Sequence, residues 1–322
     1  MPTLRPETVA QFRPLAELVP EWWTTGSTTA ADGSHLHWTD TGRDGPPVVL
    51  LHGVQVDGLS WQRTAQALEG RHRVVMPDLR GHGRSGRVRG TVDATTLVDD
   101  VRTVLAAAGV HRPVLVGHSM GADVAGRLAA QEEVRGVVLA DPALRPMPPA
   151  AFEVDDPPRW MAALFDSLCA LGTQPHAERM VTGLDTLPPG GEVDWHEADY
   201  VSYVEGQSRF DLGLYRHLDP DAPPLAASPE VIAAIACPIL LLTAGPILPG
   251  ADIDADVAPL TAHWRHGRHV HFADSGHAIP ADRFDHFIDV VTGFIDALPA
   301  DPRRRTLTRR LWMVRTRSRR NR

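Results

Sequence analysis

The pentapeptide Gly117-His118-Ser119-Met120-Gly121 contains the residue best suited to covalent chemistry. A serine hydroxyl is a poor nucleophile until a base takes its proton and a third group orients that base. Gly-x-Ser-x-Gly by itself is weak evidence, since it arises by chance in about one chain in ten of this length. Its neighbourhood is more specific. The apolar run Val114-Leu115-Val116 precedes it and reads as a strand, and Met120 to Ala130 follows with the composition of a helix. A sharp strand-to-helix turn forces such a serine into the open at the carboxyl edge of a sheet, and Gly117 and Gly121 allow neighbouring backbone to approach. The plainer alternative makes Ser119 an ordinary helix N-cap.

The candidate base is His277, in Asp274-Ser275-Gly276-His277-Ala278-Ile279-Pro280. It falls between the last predicted strand, His269 to Phe272, and the last predicted helix, Asp282 to Leu298, where a loop can reach back to the nucleophile. His263, His266, His269 and His271 cluster in sequence but span a helix end and an alternating strand without acidic co-ligands, so they read as a solvated face and no metal is expected. Gly53 follows the apolar run Val48 to Leu51. A bend there would turn the amide of Val54 toward a developing oxyanion, with the amide of Met120 as second donor.

These residues need a scaffold, and the hydrophobic pattern supplies one. A helix is expected near Glu7 to Leu18 and a half-exposed strand over Ser34 to Thr39. Short apolar runs at 48–51, 74–76, 114–116 and 137–139 alternate with helical patterns at 61–68, 95–108 and 120–130, which implies a parallel sheet of an α/β protein. The rhythm stops near Asp141 and resumes at Ile239, with a helix around Asp254 to His263. The expected organisation is an N-terminal extension (1–33), a core (34–141 and 237–300), an insertion rich in proline and aromatic residues (142–236), and a tail (301–322).

Composition excludes several classes. The chain has 322 residues, 43% hydrophobic and 22% charged, enough for a substantial core. The longest uncharged apolar stretch, Val231 to Ala251, is interrupted by Pro238, Gly245, Pro246 and Pro249, so no membrane span is expected. Charges scattered through Met1 to Val19 break any signal-peptide core, which points to the cytoplasm. The two cysteines, Cys169 and Cys237, have no metal or disulfide spacing. The net charge of −8 hides an asymmetry: Arg303 to Arg322 carries ten arginines and no acid, a like-charged run read as a solvated tail. Elsewhere acids outnumber bases, and no basic stretch is interleaved with aromatics, so nucleic acid is not an expected partner. With no GxGxxG or GxxxxGK[ST] after a strand, no cofactor is called for; the expected partner is a small-molecule substrate.

The order His52-Gly53, Pro77-Asp78-Leu79-Arg80-Gly81-His82-Gly83-Arg84-Ser85, Gly117-His118-Ser119-Met120-Gly121 and Gly276-His277 resembles the α/β-hydrolase superfamily, especially the branch of esterases, lactonases, cofactor-free haloperoxidases and epoxide hydrolases. The resemblance covers roughly Ser34 to Leu298. It implies a mostly parallel eight-stranded sheet, a helical cap inserted after the sixth strand, and a triad of serine, histidine and acid. Dehalogenases and true epoxide hydrolases of that branch use an aspartate nucleophile, and Ser119 argues against both activities. The usual acid position, after the seventh strand, is occupied here by Leu248. The expected acid is Asp141, at the end of the sixth strand where a second arrangement of the superfamily has it; the alternatives are Asp252 or Asp254, or no acid at all. The implied reaction is hydrolysis of a carboxylic ester or lactone of a small, largely apolar molecule. The alternatives are a lyase acting on an acylated natural product in secondary metabolism and a non-catalytic binding protein of the same fold. Trp160 is a candidate for the substrate pocket.

Overall fold

Apolar runs too short for helices make the strands. The computed structural model describes residues 4–144, 159–187, 195–219, 221–222, 226–245, 253–262 and 264–299. Among them lie β1 (Thr24–Thr29), β2 (His35–Asp40), β3 (Pro47–Leu51), β4 (Arg73–Asp78), β5 (Val114–His118), β6 (Gly136–Ala140), β7 (Ile239–Ala244) and β8 (Gly267–Phe272). They form one eight-stranded sheet in the order β1-β2-β4-β3-β5-β6-β7-β8. β1 and β2 are antiparallel and every pairing from β4 onward is parallel.

Thirteen helices accompany the sheet among the described residues: α1 (Pro6–Val9), α2 (Leu15–Leu18), α3 (Gln62–Leu68), α4 (Ala94–Ala107), α5 (Met120–Gln131), α6 (Arg159–Leu171), α7 (His176–Thr182), α8 (Glu197–Gln207), α9 (Gly213–His217), α10 (Pro229–Ala234), α11 (Ile253–Thr261), α12 (Ile279–Asp282) and α13 (Phe284–Ala297). Successive strand side chains go to opposite faces. Val49, Leu51, Leu115, Val137 and Leu139 therefore pack with Leu97, Val124, Leu128, Ile232 and Val257 of α4, α5, α10 and α11. Val48, Leu50, Val114, Val116 and Val138 pack with Leu68, Phe287, Val291 and Phe294 of α3 and α13. Each such side chain, fully removed from water, contributes about 1.5–3 kcal/mol.

A third apolar cluster lies outside the sheet and unites Phe165, Leu168, Met180, Tyr200, Val201 and Val204 of α6 to α8 with Val9 of α1. The insertion is anchored to the sheet by Arg209, which donates to Asp57 Oδ2 through Nε (3.1 Å) and Nη2 (2.5 Å). Asp57 in turn caps the 3₁₀ turn Gly58–Trp61 by accepting from the amide of Leu59.

The structure differs from the sequence reading at two places. The stretch expected to be one helix over Glu7 to Leu18 is two single turns, because Pro14 cannot continue a helix. The sheet begins inside the segment read as an extension: β1, polar and half exposed, lacks the apolar alternation that marks a strand. α10, within the stretch read as an insertion, packs its Ile232 into the sheet-side core. Asp252, His263 and the arginine-rich tail lie outside the described residues, as does the side chain of Trp160.

Candidate active site

The carboxyl ends of β5, β6 and β8 bring the candidate residues together. Ser119 follows β5 directly and precedes α5, with φ 53° and ψ −122°, a left-handed region that costs a non-glycine residue on the order of 1–3 kcal/mol. The surroundings hold it there. Its amide donates to Ala140 O (3.0 Å), and its carbonyl accepts from the amide of Ala122 (2.9 Å). A Cβ on Gly117 would lie 2.1 Å from Gly121 O, and one on Gly121 2.2 Å from Leu51 O. Both glycines are therefore required by close backbone approach.

Asp141 follows β6 in the same way, with φ 45°. Its amide donates to Leu242 O (2.8 Å), and its Oδ1 accepts from the amide of Ala244 at 2.8 Å, which fixes the carboxylate against the end of β7. Its Oδ2 then accepts from His277 Nδ1 at 2.6 Å. With the ring proton on Nδ1, the lone pair of His277 is on Nε2. Asp254, by contrast, is exposed on α11 and its charge bears on His269. Of the described candidates, the carboxylate that meets His277 is Asp141.

His118, a variable position of Gly-x-Ser-x-Gly that carries no chemical signal by itself, positions the loop of His277. Its Nε2 donates to His277 O at 2.8 Å, and the two rings lie 4.7 Å apart. Burial, with the nearby His277 as a lesser cause, pushes its pKa down to about 4, so the ring is a neutral donor at physiological pH. His118→Ala is expected to lower kcat roughly 10- to 100-fold through misplacement of His277, with a smaller change in KM. Steady-state kinetics on an activated ester would read the split.

The loop after β3 is held from behind by two buried histidines. His52 Nε2 accepts from the amide of Leu79 (2.9 Å) while its Nδ1 donates to Gly53 O (2.7 Å). His82 Nε2 accepts from the amide of Gln55 (3.2 Å) while its Nδ1 donates to Arg80 O (2.9 Å). Each ring must be neutral to accept, and burial enforces it: His52 is shifted downward and His82 to about 3. Gly53 lies so close to the pentapeptide that a Cβ there would be 3.1 Å from His118 Nδ1 and 3.2 Å from Ser119 Cβ. The Gln55 amide is occupied by His82. Val54 lines the same cavity as Ser119, and the Met120 amide belongs to the first turn of α5, whose N–H groups have no intrahelical acceptor. Arg80, buried in the motif that carries His82, is bound to Asp100 (Nη2 to Oδ1, 2.6 Å) and Asp32 (2.8 Å) and is structural.

Ser119 and His277 open into a cavity of about 460 Å³, within the range of small-molecule sites. Val54, Val56 and Trp61 come from the sheet side; Leu164, Leu187, Trp195 and Tyr203 come from the insertion. Trp195 ties the two together by donating from Nε1 to Asp282 Oδ1 at 2.6 Å. Among the described residues, no group of three or more side chains is arranged to hold a metal ion, and His269 and His271 share the hydroxyl of Thr243 (2.8 and 3.0 Å).

Residues 46–182 match the family model described as the α/β-hydrolase fold. Among solved structures the chain is similar to an esterase from Rhodococcus sp. (21% identity, 85% of this chain and 99% of the other, TM-score 0.62). It is likewise similar to the enol-lactonase from Burkholderia xenovorans (22%, 84% and 100%, TM-score 0.57). At these identities the likeness establishes the fold. Among curated proteins, the non-heme chloroperoxidase CPO-A1 of Kitasatospora aureofaciens is 32% identical over 145 residues, 44% of this chain and 51% of that protein. The matches span between about a quarter and a half of the length of the curated relatives. The chain has the α/β-hydrolase fold. Among the described residues, no helix is long and apolar enough to cross a membrane.

Proposed function

We propose that the protein is a serine hydrolase acting on a carboxylic ester or lactone of a small, largely apolar molecule. The observation that carries this reading is the 2.6 Å contact between Asp141 Oδ2 and His277 Nδ1, at the mouth of a turn that holds Ser119 in a left-handed conformation. In this reading Ser119 Oγ attacks the carbonyl carbon and its proton passes to His277 Nε2. The carbonyl oxygen becomes an oxyanion held by the amides of Val54 and Met120. The C–O bond to the leaving alcohol then breaks as His277 returns the proton to it, leaving the acyl group on Ser119. Water, deprotonated by His277, releases the acid and restores the serine. Asp141 keeps the imidazole in the useful tautomer and stabilises the imidazolium.

The helices between β6 and β7 act as a cap in this reading, since they complete the cavity over Ser119. A largely apolar enclosure favours substrates that bury hydrocarbon, and the esterase and lactonase neighbours support the same reaction class. A fluorophosphonate probe is expected to label wild-type protein at Ser119 and to leave Ser119→Ala unlabelled, with hydrolysis of a short-chain nitrophenyl ester lost in the same variant. Equal labelling of both proteins, or undiminished hydrolysis by Ser119→Ala, would exclude the assignment.

A further inference from the structure

Asp199 is a charged group in the wall of an otherwise largely apolar cavity. It sits in the first turn of α8, is only 6% exposed, and lines the same space as Ser119 and His277. Its Oδ2 accepts from Arg63 Nη1 at 2.8 Å. Arg63 is held on the far side, its guanidinium 3.7 Å above the ring of Phe284, and is not among the described residues that line the cavity. The second carboxylate oxygen has no hydrogen-bond partner among the described residues. That oxygen is not among the fully buried unpartnered atoms and keeps some accessible surface, so it is open to a donor.

Three other polar side chains of the wall are engaged with the protein itself. Thr186 Oγ1 donates to Gly183 O (2.8 Å) and is within 2.6 Å of Gln207 Oε1; Tyr203 donates to Thr186 O (2.8 Å); Gln55 Nε2 donates to Tyr215 Oη (2.8 Å). Asp185 also lines the cavity, and is exposed. Asp185 and Asp199 are thus the acidic residues among the described lining of the space where a substrate would sit, and Arg63, paired with Asp199, is not part of that lining.

We propose that Asp199 is a specificity residue: it receives a hydrogen-bond-donating substituent, a hydroxyl or a protonated amine, carried by an otherwise apolar ester, and it disfavours a substituent that is itself a carboxylate. This rests on reading the cavity as the hydrolase site. Burial, opposed by Arg63, pushes the Asp199 carboxyl up to about 7, so that the anion is present in mildly alkaline solution, with one oxygen paired to Arg63 and the other open to a donor. Hydrogen bonds to a charged partner are the strong ones, and a site built around one rejects the analogue that lacks it.

The test uses four nitrophenyl esters of equal chain length whose acyl chains end in methyl, hydroxyl, ammonium or carboxylate, assayed at about pH 8.5 where carboxylates and the amine are both charged. In wild-type protein the hydroxyl and ammonium esters are expected to exceed the methyl ester in kcat/KM by about tenfold or more, with the carboxylate ester the poorest. In Asp199→Asn the ammonium-to-carboxylate ratio should fall toward unity; a ratio taken within one sample does not depend on the fraction folded. A second arm reads binding without turnover, by tryptophan fluorescence during titration with n-hexylammonium or hexanoate. Ser119 labelling with no preference among the esters, or a preference unchanged in Asp199→Asn, overturns the proposal. Absent labelling and turnover together with n-hexylammonium binding that is lost in Asp199→Asn would remove the hydrolase reading and leave the recognition site standing.

Discussion

Asp141→Asn is expected to lower kcat by about 10⁴ while changing KM little, and Asp254→Asn to leave both near the wild-type values. The reasoning starts from the two hydrogen bonds of the Asp141 carboxylate. Oδ1 is taken by the amide of Ala244, and Oδ2 receives the Nδ1 proton of His277. An asparagine side chain is nearly the same shape, but its amide nitrogen is a donor. Facing Ala244 N–H with its oxygen, it would turn its NH₂ to the imidazole and draw the ring proton to Nε2, the wrong tautomer for a base acting on Ser119. Imidazolium formed in the transition state would also lose its counter-charge. Asp254 lies on the exposed face of α11 and makes no such contact. Kinetics of the two variants side by side would decide the matter: a normal Asp141→Asn with a disabled Asp254→Asn is the result that removes Asp141 from the mechanism.

Gly121→Ala is expected to destabilise the protein by at least about 3 kcal/mol and to reduce the activity of what folds by about 10²-fold or more. Its Cβ would lie 2.2 Å from Leu51 O and 2.5 Å from His52 O. These are backbone atoms at the end of β3, and no rotamer change relieves the overlap. α5 would have to retreat from the sheet, or the His52–Val54 loop from α5. Either movement separates the amides of Val54 and Met120, which the proposed mechanism needs at one oxyanion. For a chain of this size the loss corresponds to a fall in Tm of roughly 5–10 °C, measurable by calorimetry. Gly70→Ala, where nothing lies within 4 Å of the added Cβ, is the control and should be close to neutral.

The parallel core was legible because its physics is local. Val48 to Leu51, Val114 to Val116, Val137 to Leu139 and Ile239 to Leu242 are continuous apolar runs of strand length, and strands covered on both faces by helices require them. β1 was not legible, because Thr24–Thr29 is polar and half exposed and joins the sheet only through β2. Pro14 marked a break that the apolar spacing around it obscured. The supporting roles of His52 and His82 were hidden as well. Each is defined by an amide from a distant segment, Leu79 for one and Gln55 for the other, and no spacing within the chain encodes that meeting.

What the sequence determined by itself is the turn at Ser119: a strand, a strained serine and a helix, with glycines where backbone must approach. Those are interactions among residues close in the chain, and residue type and order suffice to specify them. It also marked His277 by its position between the last strand and the last helix. Which carboxylate meets His277 was decided only by tertiary structure. Asp141 is 136 residues away from it, and their contact exists because β6, β7 and β8 are successive neighbours in the sheet, which brings the loop after β8 to the end of β6. The character of the cavity was decided in the same way, since Asp199 and Tyr203 of α8 and Trp195 just before it reach the cavity from a stretch whose sequence carries no motif, through packing that only the assembled fold creates.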